Sequence, residues 1–471
     1  MKIFFTVNDY LIILAYFVAM LVIGLKTKSS EGSAKDYLIA GRTLTLPAFV
    51  ATLVSTFYGG ILGIGEFTFN FGIAGWFLYA FPYYFFILIF AFFIAGKIRK
   101  THLFSIPDKL NRTYGKKVSL FAAILIFFLS TPAPYLYMMG ILIKFISGIG
   151  ISWSMLIMLV LSTVFLFKGG LKADVRVNIL EFFLMFIGIG IILPFCFNSL
   201  GGIEYLESRL PGNHLSLTGG NSIQYIIVWF FIGAWVLVDP SFHQRCYAAK
   251  NKKTPKRGII ISLIFWIIFD FMTTTAGLYA KAYFLNDLPN PIYSFPALGN
   301  KLLPPIAKGI FFLGMIATIM STLHSYIFIS SNTFGRDIIA RYRNETEGNV
   351  MYNRVGIIAS SLFAFFLAYT IPSVINIWYT VGTLIIPALL ISVISSYFEK
   401  LQVHSKYILA SMIGSFSVSL IFFLLGIIYK VDGKDSLLFG LEPIYPGLIT
   451  GLIIYLYGYN QRKFLKIETE Q

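Results

Sequence analysis

Thirteen apolar runs, each bounded by charged or turn-forming residues, constrain this chain more than any other feature. They lie near 7–25, 46–70, 72–96, 118–148, 151–167, 175–198, 222–242, 258–284, 306–335, 354–371, 374–398, 406–429 and 440–460. Lipid offers no partner to a free backbone group, so a crossing segment must close its hydrogen bonds internally, and a helix needs about 20 residues to cross about 30 Å of hydrocarbon. The expectation is an all-α polytopic membrane protein with about 13 transmembrane helices. Composition points the same way, since only 12% of the 471 residues are charged and 57% are hydrophobic; a soluble protein carries roughly 25% charged residues. Two cysteines, Cys196 and Cys246, exclude a disulfide framework or a multi-cysteine metal cluster.

A formal charge of +16 would suit a nucleic-acid binder, but the basic residues fall in alternate short loops. With the N-terminus outside, the segments 26–42, 97–117, 168–176, 245–257, 336–354, 400–406 and 462–466 become cytoplasmic and hold 29 of the 37 Lys and Arg residues. The outer loops carry acids such as Glu204, Glu207, Asp287, Asp432 and Asp435. This is the positive-inside pattern. It predicts a multi-pass plasma-membrane protein, of a bacterial inner membrane by its Lys/Ile/Phe bias, with the C-terminus cytoplasmic. The partners expected are the lipid bilayer and no nucleic acid, and a monomer is the default state. The first run, which follows Lys2, has no small-residue cleavage site, so no cleavable signal peptide is expected. The longest outer segment, 199–221, has the length of a lid loop.

Polar groups at membrane depth are costly and mark function by default. The second run contains Ser55-Thr-Phe-Tyr-Gly-Gly-Ile-Leu-Gly-Ile-Gly-Glu66. Each glycine weakens a helix interior by about 1 kcal/mol relative to alanine, so unwinding is expected near Ser55 to Gly60, freeing carbonyls that can bind a cation. Close helix packing through small residues is the competing reading. The seventh run contains Gly233 and then Asp239-Pro240, and proline interrupts a helix. Interruptions in runs two and seven, five apart, point to an inverted-repeat transporter. The predicted organisation is a first helix and loop over 1–45, repeats of five helices over 46–198 and 222–398, and two further helices with a tail over 406–471.

The ninth run places Thr318, Ser321, Thr322 and Ser325 at i, i+3, i+4 and i+7, hence four hydroxyls on one face. Such oxygens could coordinate a hard cation such as sodium; the alternative is back-bonding to the helix's own carbonyls. Asp270 shares a face with Thr273, Thr274 and Gly277, and Asp174 shares one with Asn178 and Glu181. Glu66, Glu181, Asp239 and Asp270 are the candidate buried acids, each with a structural pairing as its alternative. His324 reads as a packing residue. Phe57, Tyr58, Tyr79, Trp235, Trp378 and Tyr379 flank the breaks and are candidates to line a cavity. No nucleophile–base constellation or metal-ligand spacing marks an enzyme.

Four segments together resemble the sodium/solute symporter family, whose members share the LeuT-like fold. They are Asp36-Tyr-Leu-Ile-Ala-Gly-Arg42, Gly169-Gly-Leu-Lys-Ala-Asp-Val-Arg-Val-Asn-Ile-Leu-Glu181, Gln244-Arg-Cys-Tyr-Ala-Ala-Lys250, and Met320-Ser-Thr-Leu-His-Ser-Tyr326 with Gly335-Arg-Asp337. The resemblance implies a LeuT-like five-plus-five inverted repeat with two broken helices. It also implies sodium as coupling ion, with no organic cofactor. Carried over, the sodium ligands are the carbonyls of Ser55 and Tyr58, the carbonyl of Thr318 and the hydroxyls of Ser321 and Thr322. Asn178 stands where many members have Asp, and Glu181 where many have Gln. Phe57, Ile61 and Leu62 make the first break apolar, which disfavours a sugar, whereas Asp239 favours a solute with a donor or a positive group. Phe57, Tyr79, Trp235, Asp239, Trp378 and Tyr379 are the substrate-binding candidates. Glu66, Asn178, Glu181 and Asp270 are candidates for coupling or gating. The implied function is sodium-coupled import of a small organic solute by alternating access. The alternatives are proton coupling through Glu66, Asp239 or Asp270, and a non-transporting sensor of the same fold.

Overall fold

The computed structural model describes residues 4–29, 33–345, 350–429 and 437–469. Lys2, Asp432 and Asp435 lie outside these. Among the described residues the chain is helix and loop, with one isolated β-bridge between Leu44 and Ala249.

The elements that build the site are α1 (Val7–Lys26), α2 (Leu46–Phe57), α3 (Ile61–Phe71), α4 (Leu166–Gly190), α5 (Ile223–Gly233), α6 (Trp235–Val238), α7 (Pro240–Ala248), α8 (Thr254–Phe284), α9 (Ala307–Asn332) and α10 (Val374–Ser396). Ten helices are long and apolar enough to cross a membrane, eleven when the bent pair α2–α3 is one span. The two other expected crossings are helical as well. Ile151–Thr163 has 13 residues, about 20 Å at 1.5 Å per residue and short of the hydrocarbon thickness. Ile444–Thr469 runs from its apolar part into the polar sequence Asn460-Gln-Arg-Lys463. Among the described residues, length and apolarity thus identify ten or eleven of the thirteen expected crossings.

The expected interruption of the second run is present. Helix α2 stops at Phe57, α3 starts at Ile61, and their axes differ by 56°. Gly59 and Gly60 serve close approach here, since neither has a positive φ. A methyl group on Gly59 would lie 2.1 Å from the Thr322 hydroxyl, and one on Gly60 would lie 2.2 Å from the Trp378 ring. Unwinding and close packing are thus one feature.

The seventh run is interrupted less severely. Asp239 is extended (φ −68°, ψ 119°) between α6 and α7, as expected for a residue preceding proline, while residues 223–248 continue as one membrane-length segment.

Burial places α9 at the centre. The span that contains it, Ala307–Ala340, is 94% buried, against 28% for Val7–Lys26 and for Ser405–Ile428 at the rim. Small residues let α4 and α9 touch backbone to backbone. A Cβ on Gly188 would lie 2.3 Å from the Gly314 Cα. The broken helix and α4 both pack on α9, so polar groups at the end of α2 meet those of α4 and α9 in the interior.

Candidate functional site

The last turn of α2 lacks intrahelical partners for its carbonyls, and α9 supplies hydroxyls there. Ser321 Oγ donates to the Ser55 carbonyl at 2.8 Å, and Thr322 Oγ1 donates to the Thr56 carbonyl at 2.7 Å, with the Ser55 carbonyl 3.4 Å away. Ser321 Oγ also lies 2.8 Å from the Thr318 carbonyl. Five oxygens, from Ser55, Thr56, Thr318, Ser321 and Thr322, therefore converge at the first break. All five residues are fully buried. Hydroxyl and carbonyl oxygens suit a hard monovalent cation.

Thr56 is an addition to the expected set; the Tyr58 ligand expected there is its carbonyl, and its side chain turns to α8. Its hydroxyl donates to Asp270 Oδ1 at 2.5 Å and sits 2.8 Å from Thr273 Oγ1. Asp270 also accepts from Tyr84. The Thr318 hydroxyl back-bonds to the Gly314 carbonyl at 2.7 Å, so in the stripe it is Ser321, Thr322 and Ser325 that face α2. Ser325 Oγ lies 3.0 Å from Thr56 Oγ1.

Directly behind these oxygens is a network that the sequence reading largely missed. Asp174 Oδ1 accepts from Ser325 at 2.6 Å and lies 2.8 Å from His324 Nδ1. Its Oδ2 accepts from Arg245 at 3.2 Å and from Asn178 at 3.1 Å. Glu181 takes the other His324 nitrogen at 2.9 Å and the Tyr16 hydroxyl at 2.7 Å. Asn178 accepts from Ser55 Oγ at 3.1 Å and donates to Thr52 and Ser325. Arg245 also donates to Thr56 Oγ1 at 2.8 Å.

His324 is therefore not a packing residue. Both of its ring nitrogens face carboxylate oxygens, and only an imidazolium offers two donors. Asp174 and Glu181 are thus matched by Arg245 and by an imidazole that contacts both, with all four side chains fully buried. Arg245, counted above with a cytoplasmic loop, belongs to this interior. Its signal in the sequence was an arginine only five residues after Pro240, where α7 is still helical.

Four of the solute candidates meet. Phe57, Tyr79, Trp235 and Trp378 line one small cavity, and Tyr83, Tyr135, Trp229 and Tyr326 complete its wall. Tyr79 stacks on Trp378, with centroids 5.6 Å apart and planes 25° from parallel. Asp239 sits one layer behind: it accepts from the Tyr326 hydroxyl at 2.8 Å and caps α7 through the Ser241 N–H at 2.6 Å. Tyr379 points away instead, donating to Glu442, as an adjacent helical residue turned about 100° from Trp378 must. Glu66 is half-buried on α3 and lines neither of the small aromatic cavities.

The comparisons with known proteins agree with this geometry. A model of the sodium:solute symporter family matches residues 37–414. The sodium/pantothenate symporter of Haemophilus influenzae is 28% identical, over 79% of this chain and 78% of that protein. Drosophila melanogaster high-affinity choline transporter 1 is 24% identical, over 92% and 72%. The rat solute carrier family 5 member 4 is 23% identical over 77% of this chain, which spans only 61% of its length. Among solved structures, the substrate-bound outward-open state of a sodium-coupled sialic acid symporter superposes with a TM-score of 0.81, at 15% identity and 98% coverage of both chains. A nucleobase-cation-symport-1 family transporter in a closed conformation gives 0.59, at 12% identity and over 92% and 95%. The fold is thus the LeuT-like one, with its two broken helices. The chain is a multi-pass membrane transporter, not an enzyme, and it belongs to the sodium:solute symporter family.

Proposed function

We propose that the protein imports a small organic solute together with sodium by alternating access, with residues 46–198 and 222–398 as the two inverted repeats, thirteen crossings, the N-terminus outside and the C-terminus cytoplasmic. The convergence of oxygens from Ser55, Thr56, Thr318, Ser321 and Thr322 carries the reading. Sodium held there would tie the first break to α9 and favour the solute-competent, outward-open arrangement. Coupling of this kind is reciprocal, so solute tightens sodium to the same degree. The neighbouring carboxylates are already balanced by Arg245 and His324, so the five oxygens carry no net charge of their own and sodium brings one charge into the membrane. One charge moving through 100 mV is worth about 2.3 kcal/mol, enough for a roughly fifty-fold gradient of a neutral solute.

The test needs no known solute. Thermal stability of the detergent-purified protein is compared in sodium chloride and potassium chloride, for wild type and Ser321→Ala/Thr322→Ala. A ligand that binds only the folded state raises the apparent Tm by mass action. Sodium-specific stabilisation that the double variant loses is the expected result. No sodium effect in the wild type, at any pH between 6 and 8.5, overturns the coupling assignment.

A further inference from the structure

The four buried acids near the membrane centre fall into two kinds. Asp174 and Glu181 have cations of the chain beside them, Arg245 and His324. Asp239 and Asp270 have none within ion-pair distance among the described residues, although Arg245 acts on Asp239 from further off; Asp239 is met by the Tyr326 hydroxyl and the Ser241 and Phe242 N–H groups, and Asp270 by the hydroxyls of Tyr58 and Tyr84. Both are almost completely inaccessible to solvent. A carboxylate in such a place without a counter-charge is costly.

These two acids flank the aromatic space. Asp239 lies behind Tyr326 and within charge reach of Tyr83 and Tyr135. Asp270 forms the wall of a second small cavity that shares Phe57, Tyr79 and Tyr83 with the first. Apart from Ile232, every residue around the first cavity is Phe, Tyr or Trp. Aromatic faces carry negative potential and attract cations, Trp most strongly, and the attraction grows once water is excluded. An anionic solute would find no cation in the lining of either cavity. A polyol would find phenol hydroxyls and indole N–H groups but no amide or carboxylate in the lining of the first cavity. A cation finds both the π-faces and the missing counter-charge. On the same wall, the Trp229 indole N–H is buried with no partner among the described residues. It offers a donor to a hydroxyl or carboxylate at the far end of a ligand.

We infer that the solute is a small organic cation, an ammonium or quaternary ammonium group held among Tyr79, Trp235, Trp378 and Tyr326 with Asp239 and Asp270 as its counter-charges. The inference rests on the symporter reading of the site and names its substrate class. Choline and related ammonium salts are accordingly unsuitable as inert replacements for sodium.

The experiment is a titration of the full-length purified protein in constant sodium chloride, following tryptophan fluorescence and Tm. Tetramethylammonium chloride replaces potassium chloride at fixed ionic strength, and tert-butyl alcohol serves as the neutral probe of similar shape. Saturable stabilisation by tetramethylammonium and not by tert-butyl alcohol is expected. Trp378→Leu should weaken it about tenfold, and Asp239→Asn and Asp270→Asn should each weaken it several-fold. Sodium stabilisation retained in the Asp239→Asn variant certifies its fold. Equal effects of the two probes, or undiminished binding in all three variants, overturns the inference. The sodium arm separates the two readings. A sodium shift without cation selectivity sinks the substrate class alone. Cation selectivity without a sodium shift sinks the coupling ion and leaves the cage standing.

Discussion

Asp174→Asn is the sharpest test of the buried charge balance. Asp174 receives four hydrogen bonds, from His324, Ser325, Arg245 and Asn178, at 2.6–3.2 Å. An asparagine amide has one acceptor oxygen, so at least two of these are lost, and Arg245 is left without a carboxylate partner at full burial. Breaking a buried ion pair by removing one partner costs about 3–5 kcal/mol. An unfolding entropy of about 2.1 cal/mol/K per residue gives about 1 kcal/mol/K for a chain of this length, so the expected fall in Tm is about 3–5 °C. The double variant Asp174→Asn/Arg245→Met removes both charges and leaves Glu181 and His324 balanced between themselves. It should therefore recover at least about half of the loss, because deleting a whole buried pair is often close to neutral. Thermal unfolding of the two variants and the wild type in one detergent, at one scan rate, reads this directly. A double variant that falls further than the single one would refute the reasoning, since the two substitutions would then be adding independent damage instead of cancelling a charge.

Two further outcomes follow from packing and from the cytoplasmic end. Gly59→Ala places a methyl group on the Thr322 hydroxyl, so it should weaken sodium stabilisation about tenfold or more while leaving tetramethylammonium binding within about threefold, an effect of about 1–3 kcal/mol for overpacking; titrating Tm with sodium measures it. On the side proposed to be cytoplasmic, Asp108 accepts from Arg341 at 2.6 Å and Arg336 at 2.9 Å, and both arginines also meet Asp337. Arg336 and Asp337 line a small cavity together with Asn332, so in the proposed cycle these pairs would be the closure of that space. Asp108→Asn should loosen that closure by about 2 kcal/mol, the size of a charge-assisted hydrogen bond, and raise the rate at which N332C reacts with a membrane-impermeant thiol reagent from inside by at least about tenfold. Burial pushes the Asp108 carboxyl up, but Arg336 and Arg341 outweigh it and hold it below its usual value. A depressed carboxylate contributes stability that is complete above the unfolded value near 4 and is lost only as pH falls through the folded one, so the ratio of the N332C rates with and without Asp108→Asn should stay flat from pH 5.5 to 8.5, although both rates rise with the thiolate fraction.

The membrane-spanning architecture was legible because lipid permits so few solutions: apolar length, alternate basic loops and a glycine-rich interruption each left a mark in one dimension. The break at Tyr58 to Gly60 and the hydroxyl stripe of α9 were visible for the same reason, since both depend on neighbours within a helix. What escaped was partnership between helices. His324 looked like an ordinary core residue because its two acids lie 143 and 150 positions away in sequence. Arg245 was assigned to a loop because charge alone cannot tell a cytoplasmic edge from a compensated interior. Tyr379 was grouped with Trp378 by adjacency, although one step along a helix turns a side chain to another face. The acids fared better in location than in role. Glu181, Asp239 and Asp270 were among the candidate buried acids, whereas Asp174 fell in the segment 168–176 read as cytoplasmic, and only tertiary structure separates Asp174 and Glu181, which have cations within ion-pair distance, from Asp239 and Asp270, which have none so near.

The contact between Gly188 and Gly314 sets a mechanical condition on transport. Two backbones in direct touch can pivot about their crossing, whereas sliding would carry the glycines away from each other and bring side chains into the seam. Helix α9 carries the Ser321 and Thr322 hydroxyls on one side of that crossing, so in the proposed cycle it would act as the lever of a balance whose fulcrum is fixed. A tilt of α4 against α9 would then part Ser321 and Thr322 from the end of α2. A residue of any size at position 188 or 314 would lift the fulcrum itself, so that the two arms no longer move as one.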